Sequence, residues 1–292
     1  IDDWPDLAVR GAVVRGLLTT AQIDAFAALK CNWMIFDSED FYRLTEVKTQ
    51  AWARVFGDAR DRHIEPVPLI PTLAGAGALL ARQPEAVEGR TATDRIALSG
   101  DDWAALTHRN VIDTESCPIR VAISGMPCAR REDYAIEAGD LAAPFPERNS
   151  PWLIRRIPGG RIPDGATVTV TYGWAPPDSE AVCPYAPETQ AVLQTVLAEV
   201  IGELRPRFLH IGHGAAARLN RDPRCLAHDH PNARVFADSV ALLDRLAKEL
   251  DDNIRLMLWT EALEPLPPDA LPELPGDAWL IGRFCGAETR DR

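Results

Sequence analysis

The sequence has no surplus of positive charge: 31 Lys and Arg stand against 43 Asp and Glu in 292 residues, a formal net charge of −12. Such a balance argues against a nucleic-acid partner and against an anionic membrane surface. No apolar run reaches the roughly 18 residues that a membrane-crossing helix needs. There is no disulfide framework either. The 6 cysteines (Cys31, Cys117, Cys128, Cys183, Cys225 and Cys285) are scattered and read as free thiols, the usage of a reducing compartment. No glycine-rich loop opens a helix as a phosphate site would. Ser124-Gly125-Met126-Pro127 and Ile157-Pro158-Gly159-Gly160 read as turns, and Gly75-Ala76-Gly77 lacks the third glycine of a dinucleotide fingerprint. Opening at Ile1 without Met or a signal-like stretch, the sequence reads as a mature or trimmed form. What is present is an ordinary globular mixture, 46% hydrophobic and 25% charged, long enough for one large α/β domain or two smaller ones.

Residues 7–73 alternate between strand and helix patterns. Leu7–Val14 reads as a strand, and Thr19 or Thr20 caps a helix through Lys30 with Ile23, Phe26, Ala27 and Leu29 on one face. Asn32–Phe36 is a short apolar run suited to a strand buried on both faces. Glu46–His63 is helical by period, with Val47, Trp52, Val55 and Phe56 as its inward stripe, and Val67–Ile70 is the next strand. This rhythm predicts a parallel sheet with right-handed crossovers. From 91 to 175 it gives way to Pro- and Gly-punctuated alternation, at Ile119–Ser124, Trp152–Ile157 and Ala166–Tyr172, which reads as an inserted β-rich subdomain. The α/β rhythm returns with a helix at Glu188–Leu204, a strand at Phe208–Ile211, a helix at Asn232–Leu250 and strands at Arg255–Trp259 and Ala278–Phe284. The expected class is therefore α/β: a TIM-barrel-like domain built from 1–90 and 176–292, incomplete because six strands fall short of eight.

In parallel α/β folds ligands sit beyond the carboxyl ends of the strands. The second strand there runs into Asp37-Ser38-Glu39-Asp40, the fourth into His210-Ile211-Gly212-His213 and the fifth into Trp259-Thr260-Glu261. Carboxylates supply acid and base while aromatic faces stack on pyranose rings, a combination suited to a sugar. The same residues could instead cap the following helices.

The order of landmarks resembles the catalytic barrel of family 20 glycoside hydrolases, the β-N-acetylhexosaminidases. Asp3-Trp4-Pro5 and Arg10-Gly11 are similar to the family's opening pattern, and Lys30-Cys31-Asn32 to its Lys-x-Asn before the second strand. The acidic strand end Asp37–Asp40 follows, then Leu69-Ile70-Pro71 to Gly77, with Ala78 where the family has His. Phe208-Leu209-His210-Ile211-Gly212 looks like the fourth-strand signature His-x-Gly-Gly-Asp-Glu, and Met257–Glu261 like the fifth strand. The resemblance covers residues 1–90 and 186–285. It implies a carbohydrate ligand containing an amino sugar, with Arg10 binding sugar hydroxyls; the strand-end reading adds Asp40, His210, His213 and Trp259 as substrate-binding candidates, and no cofactor is expected.

One departure changes the chemistry that the resemblance implies. In the family the Asp orients the substrate's N-acetyl group and the Glu is the general acid; here Gly214 and Ala215 fall at those positions. Neither can donate a proton, and losing a general acid removes about 10²–10⁴-fold in rate. Three readings follow: an enzyme using Glu261, Glu39 and Asp37 instead, a non-catalytic relative that binds glycans or assembles, or a chain with both positions engineered. An unfinished barrel would also expose strand edges, for which a second copy of the chain is the simplest cover. A lesser alternative is a zinc-dependent hydrolase using His210, His213, Cys225, His228 and His230, with Asp229 or Glu261 as base. Against it, the spacing matches no standard zinc motif. Asp222–Pro231 otherwise reads as an exposed polar loop.

Overall fold

The computed structural model describes residues 9–73, 77–80, 83–140, 149–179, 181–213, 219–263 and 274–282. In chain order its elements are β1 (Gly11–Arg15), α1 (Thr20–Ala28), β2 (Trp33–Asp37), α2 (Glu46–Arg60), β3 (Glu65–Leu69), α3 (Gly77–Leu80), β4 (Arg90–Leu98), β5 (Ala104–Ala105) and β6 (Val111–Ile112). There follow β7 (Arg120–Ile123), β8 (Met126–Pro127), β9 (Tyr134–Glu137), β10 (Leu153–Arg156), β11 (Ala166–Trp174) and α4 (Pro187–Leu204). The chain continues through β12 (Phe208–His210), α5 (Pro223–Leu226), α6 (Asn232–Lys248), β13 (Arg255–Trp259) and β14 (Trp279–Ile281). It divides into two compact units, one of Ile1–Ala74, Ala191–Ala216 and Phe236–Arg292, the other of Gly75–Gln190 and Ala217–Val235. The second unit is thus wider than the 91–175 insertion expected from the loss of helical rhythm.

The first unit holds a curled, six-stranded parallel half-barrel in the order β1-β2-β3-β12-β13-β14. Side chains alternate across it with period 2. Trp33, Ile35, Val67, Leu69, Phe208, Met257, Trp259, Trp279 and Ile281 form one apolar cluster on the concave face. The intervening residues Met34 and Phe36 are fully buried on the other face, where Phe36 packs against Trp52 and Phe56 of α2. The expected α2 stripe holds at Trp52, Val55 and Phe56, but Val47 is 78% exposed. Five residues separate Val47 from Trp52, which turns it about 140° away at 100° per residue. In α1 the predicted capping is present, with Thr19 and Gln22 bonding reciprocally. Leu29 lies beyond the last helical turn and is exposed.

Pro66 and Pro68 explain a weak point in this sheet. Odd-numbered N–H groups of this segment turn toward β2, as Glu65 does to the Asn32 carbonyl at 2.9 Å, and even-numbered ones toward β12, as Ile70 does to the His210 carbonyl at 2.8 Å. Both prolines therefore lack their donor on the β12 side. The register shrinks there to the single pair His210–Leu69, against five pairs between β2 and β3.

The second unit contains a five-stranded antiparallel sheet built around β11, with β4 along its full length, and a three-stranded sheet β5-β10-β9. The alternating run predicted at Ala166–Tyr172 buries Val168, Val170 and Tyr172 in their core. Three arginines close in sequence, Arg155, Arg156 and Arg161, find partners within this unit. Arg155 lies over the Trp103 ring at 4.7 Å, Arg156 donates to the Ile162 carbonyl at 3.1 Å, and Arg161 pairs with Asp133 at 2.7 Å.

Candidate functional site

A cavity of about 680 Å³ opens on the concave face of the half-barrel, lined by all of β1 except Val14, by Trp33, Ile35 and Asp37 of β2, and by Leu69, Met257, Trp259 and Ile281. That volume lies in the range of small-ligand sites. Its walls are apolar and aromatic, and at the strand carboxyl ends they carry one ion pair. Arg15 ends β1 opposite Asp37 in the parallel register, and its Nε lies 3.5 Å from Asp37 Oδ2. Arg15 is 90% and Asp37 34% exposed, so both groups face solvent across the cavity mouth. Neither Arg15 nor Trp33 stood out from motif reading. Counting by twos from Gly11 and from Asp37 would have found them, because both strands alternate without a bulge.

The acidic strand end divides by task. Asp37 is the last inward residue of β2. After it the chain turns into a 3-10 turn at Glu39–Tyr42. Glu39 is exposed there, whereas Asp40 turns to α2, taking Lys48 Nζ at 2.6 Å and Trp52 Nε1 at 3.1 Å. Burial pushes the Asp40 carboxyl up, but the hydrogen bonds from Lys48 and Trp52 and the Lys48 charge outweigh it and hold it below the usual carboxylate range. Asp40 thus fastens the strand end to α2. Tyr42 is buried and donates its hydroxyl to the Pro71 carbonyl; burial, with the charges of Asp37 and Glu39, raises its phenol.

The two histidines expected on this face part company. His210 ends β12 on the concave side, fully buried, with its ring 4.0 Å from that of Trp259 and its Nδ1 accepting from the Gly212 N–H at 3.0 Å. Gly212 then takes φ 72° and passes so close to Pro71 that a Cβ would lie 3.0 Å from its Cα. That turn swings His213, itself at φ 51°, away from the cavity. His213 is fully buried, with Nδ1 3.1 Å from the Ile211 carbonyl, Nε2 3.2 Å from Ser239 Oγ and its ring 5.2 Å from Phe236. Burial pushes its imidazole down to about 4, so the ring is neutral and acts as a packed link between the strand end and α6.

Trp259 ends β13 and lines the cavity; Glu261 follows in a half-exposed 3-10 turn, where Thr260 Oγ1 lies 3.5 Å from its Oε2. Arg10 lines the other end of the cavity, with Nε on the Lys30 carbonyl at 2.7 Å. The register sets it five residues, about 16 Å of strand, below Arg15. The structure therefore brings together Asp37, His210 and Trp259, with Glu261 at the same sheet end, and sets Arg10 apart. Gly214 and Ala215 lie outside the described residues, as do Asp3-Trp4-Pro5.

The zinc alternative meets a different arrangement. Among the described residues no three His, Cys, Asp or Glu side chains come together as a metal set. His213 has both ring nitrogens engaged, while Cys225, His228 and His230 belong to the second unit. There Tyr185 lies 2.9 Å from His230 Nδ1 and against the His228 ring. The expected polar loop Asp222–Pro231 is exposed at 226–229 and 231 but not in its first four residues. Asp222 and Arg224 are buried, because the guanidinium grips the carboxylate at 2.8 Å and also donates to the Glu85 and Val87 carbonyls. The carboxyls that burial raises, Glu85 and Glu88, are also in this unit.

No protein-family model and no curated protein matches the sequence. Solved structures do match its fold. A family 20 exo-β-N-acetylglucosaminidase from Vibrio harveyi, solved with N-acetylglucosamine, superposes with a TM-score of 0.53 at 11% identity, covering 97% of this chain and 39% of that one. The chitobiase of Flavobacterium johnsoniae gives 0.52 at 15% identity, over 99% and 35%. A β-N-acetylhexosaminidase from Bacteroides fragilis gives 0.50 at 12%, over 94% and 45%. At these identities the likeness is one of fold, and this chain spans less than half the length of each. The fold is that of the family 20 glycoside hydrolases, as far as six parallel strands carry it. Among the described residues no helix is long and apolar enough to cross a membrane.

Proposed function

We propose that this chain is a glycoside hydrolase-like protein whose concave sheet face takes an amino-sugar-containing glycan. One observation carries the reading: Trp259 and the Arg15–Asp37 pair stand at the strand carboxyl ends of one cavity, with Trp33 lining its far end, in a fold shared with N-acetylhexosaminidases. Aromatic faces pack on the apolar face of a pyranose, and the ion pair offers charged donors and acceptors to hydroxyl and amide groups. In a hydrolytic reaction Glu261 donates the proton to the departing glycosidic oxygen and Asp37 stabilises the oxocarbenium-like charge. Glu39, exposed at the same rim, is the alternative acid. Binding without turnover is the second reading, favoured by Gly214-Ala215 standing where the resembled signature has Asp-Glu.

Calorimetric titration with N-acetylglucosamine and chitobiose, beside nitrophenyl N-acetylglucosaminide hydrolysis, tests both. Asp37→Asn and Trp259→Ala should each weaken binding tenfold or more. Glu261→Gln should spare binding and, in a hydrolase, cut nitrophenol release by about 10²–10⁴-fold. Sugar binding with no turnover by the wild type selects the second reading. A wild type that neither binds nor cleaves, or binding untouched by Asp37→Asn, overturns the proposal.

A further inference from the structure

The second unit contains a pair of thiols that the glycan reading does not use. Cys183 Sγ and Cys225 Sγ lie 2.9 Å apart, 42 residues from each other in sequence, and neither residue has any exposed surface. This is inside ordinary contact between sulfurs and about 0.9 Å beyond a bond. Two separately anchored pieces of backbone hold them there. Cys183 follows the Val87–Val182 bridge and donates its N–H to the Ala86 carbonyl at 3.2 Å. Cys225 sits in α5, whose cap Asp222 accepts from the Gly89 N–H at 2.6 Å and whose Arg224 reaches the Glu85 and Val87 carbonyls. Both cysteines are thus fastened to the single segment 85–89.

We propose that Cys183 and Cys225 form a structural disulfide joining the two chain segments of the second unit. The oxidant is a small disulfide such as glutathione disulfide. One cysteine thiolate attacks it and expels one glutathione thiolate, leaving a mixed disulfide. The second cysteine thiolate attacks the protein sulfur of that species, forming the Cys183–Cys225 bond and expelling the second glutathione. The protein loses two electrons and its two thiol protons, and glutathione disulfide becomes two thiols. Exchange needs an accessible thiolate. In the folded unit both sulfurs are sealed, and the contact with Cys183 together with burial and the nearby carboxylates raises the Cys225 thiol. The bond is therefore made while the chain folds, and afterwards it is shielded from soluble reductants. This replaces the free-thiol reading for these two of the six cysteines.

The test folds the full chain from denaturant in a glutathione redox buffer, then unfolds and alkylates it without reductant and maps the peptides. The expected result is a linked Cys183–Cys225 peptide, lighter by two hydrogens than the separate thiols, with neither residue alkylated until reductant is added. In Cys183→Ser and Cys225→Ser the remaining partner should alkylate fully. Both single variants and the double variant should unfold at one common urea midpoint, below that of the oxidised wild type. Full alkylation of both cysteines in the wild type overturns the proposal. So does a linkage of either to another cysteine, or single-variant losses that add in the double variant, as for two independently packed thiols.

Discussion

Acidification should unlock the first unit at His213. The ring is neutral in the fold: its Nδ1–H donates to the Ile211 carbonyl and its Nε2 accepts from Ser239. Burial without a facing carboxylate among these contacts leaves a protonated ring uncompensated, which is why its pKa falls to about 4 from 6.5. Between these values the unfolded chain binds a proton that the folded chain refuses. Stability is therefore full above about pH 6.5, declines as the pH falls, and levels off below about 4. At about 1.4 kcal/mol per unit, the whole window is worth roughly 3 kcal/mol. At pH 5 the loss is already about 2 kcal/mol. Other groups titrate in the same range, so the comparison that isolates this ring is with His213→Asn. Asn tolerates the positive φ of this position but carries no titrating group. Urea unfolding followed by tryptophan fluorescence from pH 4 to pH 7 should give a wild-type curve steeper than the variant's by up to one proton. Parallel curves would refute the assignment of His213 as a buried neutral ring.

Three further outcomes follow from buried polar contacts. Arg224→Met should cost about 3–5 kcal/mol in urea unfolding, because it strands the Asp222 carboxylate inside the second unit; adding Asp222→Asn should recover part of the loss. Tyr42→Phe should cost about 1–3 kcal/mol by leaving the Pro71 carbonyl without its donor, and a midpoint unchanged from wild type would deny that bond. Oxidised protein should exceed reduced protein by about 4 kcal/mol, the chain-entropy value for a loop of this length; equal midpoints for the two forms would contradict the cross-link's constraint.

Long periodic elements were legible in the sequence because their physics is local. Arg255–Trp259 is a strand with the expected bounds, and the helices at Glu46, Glu188 and Asn232 begin within a residue of expectation. The resemblance to the family 20 barrel, drawn from weak motifs in a shared order, agrees with the fold of the solved neighbours. What escaped was set by contacts remote in sequence. β4 went unread because Asp94 interrupts the alternation of Ala92, Ile96 and Leu98. Its carboxylate is tolerated only because Tyr172 donates to it at 2.8 Å and the Thr107 N–H at 2.8 Å. Asp222–Cys225 looked like a solvated loop because the partners that bury it lie 42 to 139 residues away. The proximity of Cys183 to Cys225 had no sequence signature for the same reason.

The acidic cluster at the end of β2 illustrates why density of charge is a poor guide to chemistry. Three carboxylates in four positions suggested a shared acid–base task, yet the backbone changes period between the first and the second. A strand places Asp37 inward; the 3-10 turn that begins at Glu39 then sends successive side chains around its axis at about 120° per residue. Glu39 consequently faces solvent, and Asp40 is drawn to Lys48 and Trp52 on the opposite face of the sheet. Only Asp37 keeps the cavity, and it does so beside a cation that occupies the matching place on β1. On the glycan reading proposed above, an Asp–Arg pair at the cavity mouth favours ligand recognition through charge-assisted hydrogen bonds. On the hydrolase reading proposed above, proton donation would fall to a group outside that pair; Glu39 and Glu261 are the carboxyls at this end of the sheet for which no cation or indole stands among the described contacts, and Glu261 lies two residues beyond Trp259. The substitution that separates recognition from turnover is accordingly Glu261→Gln, with Asp37→Asn as its counterpart for binding.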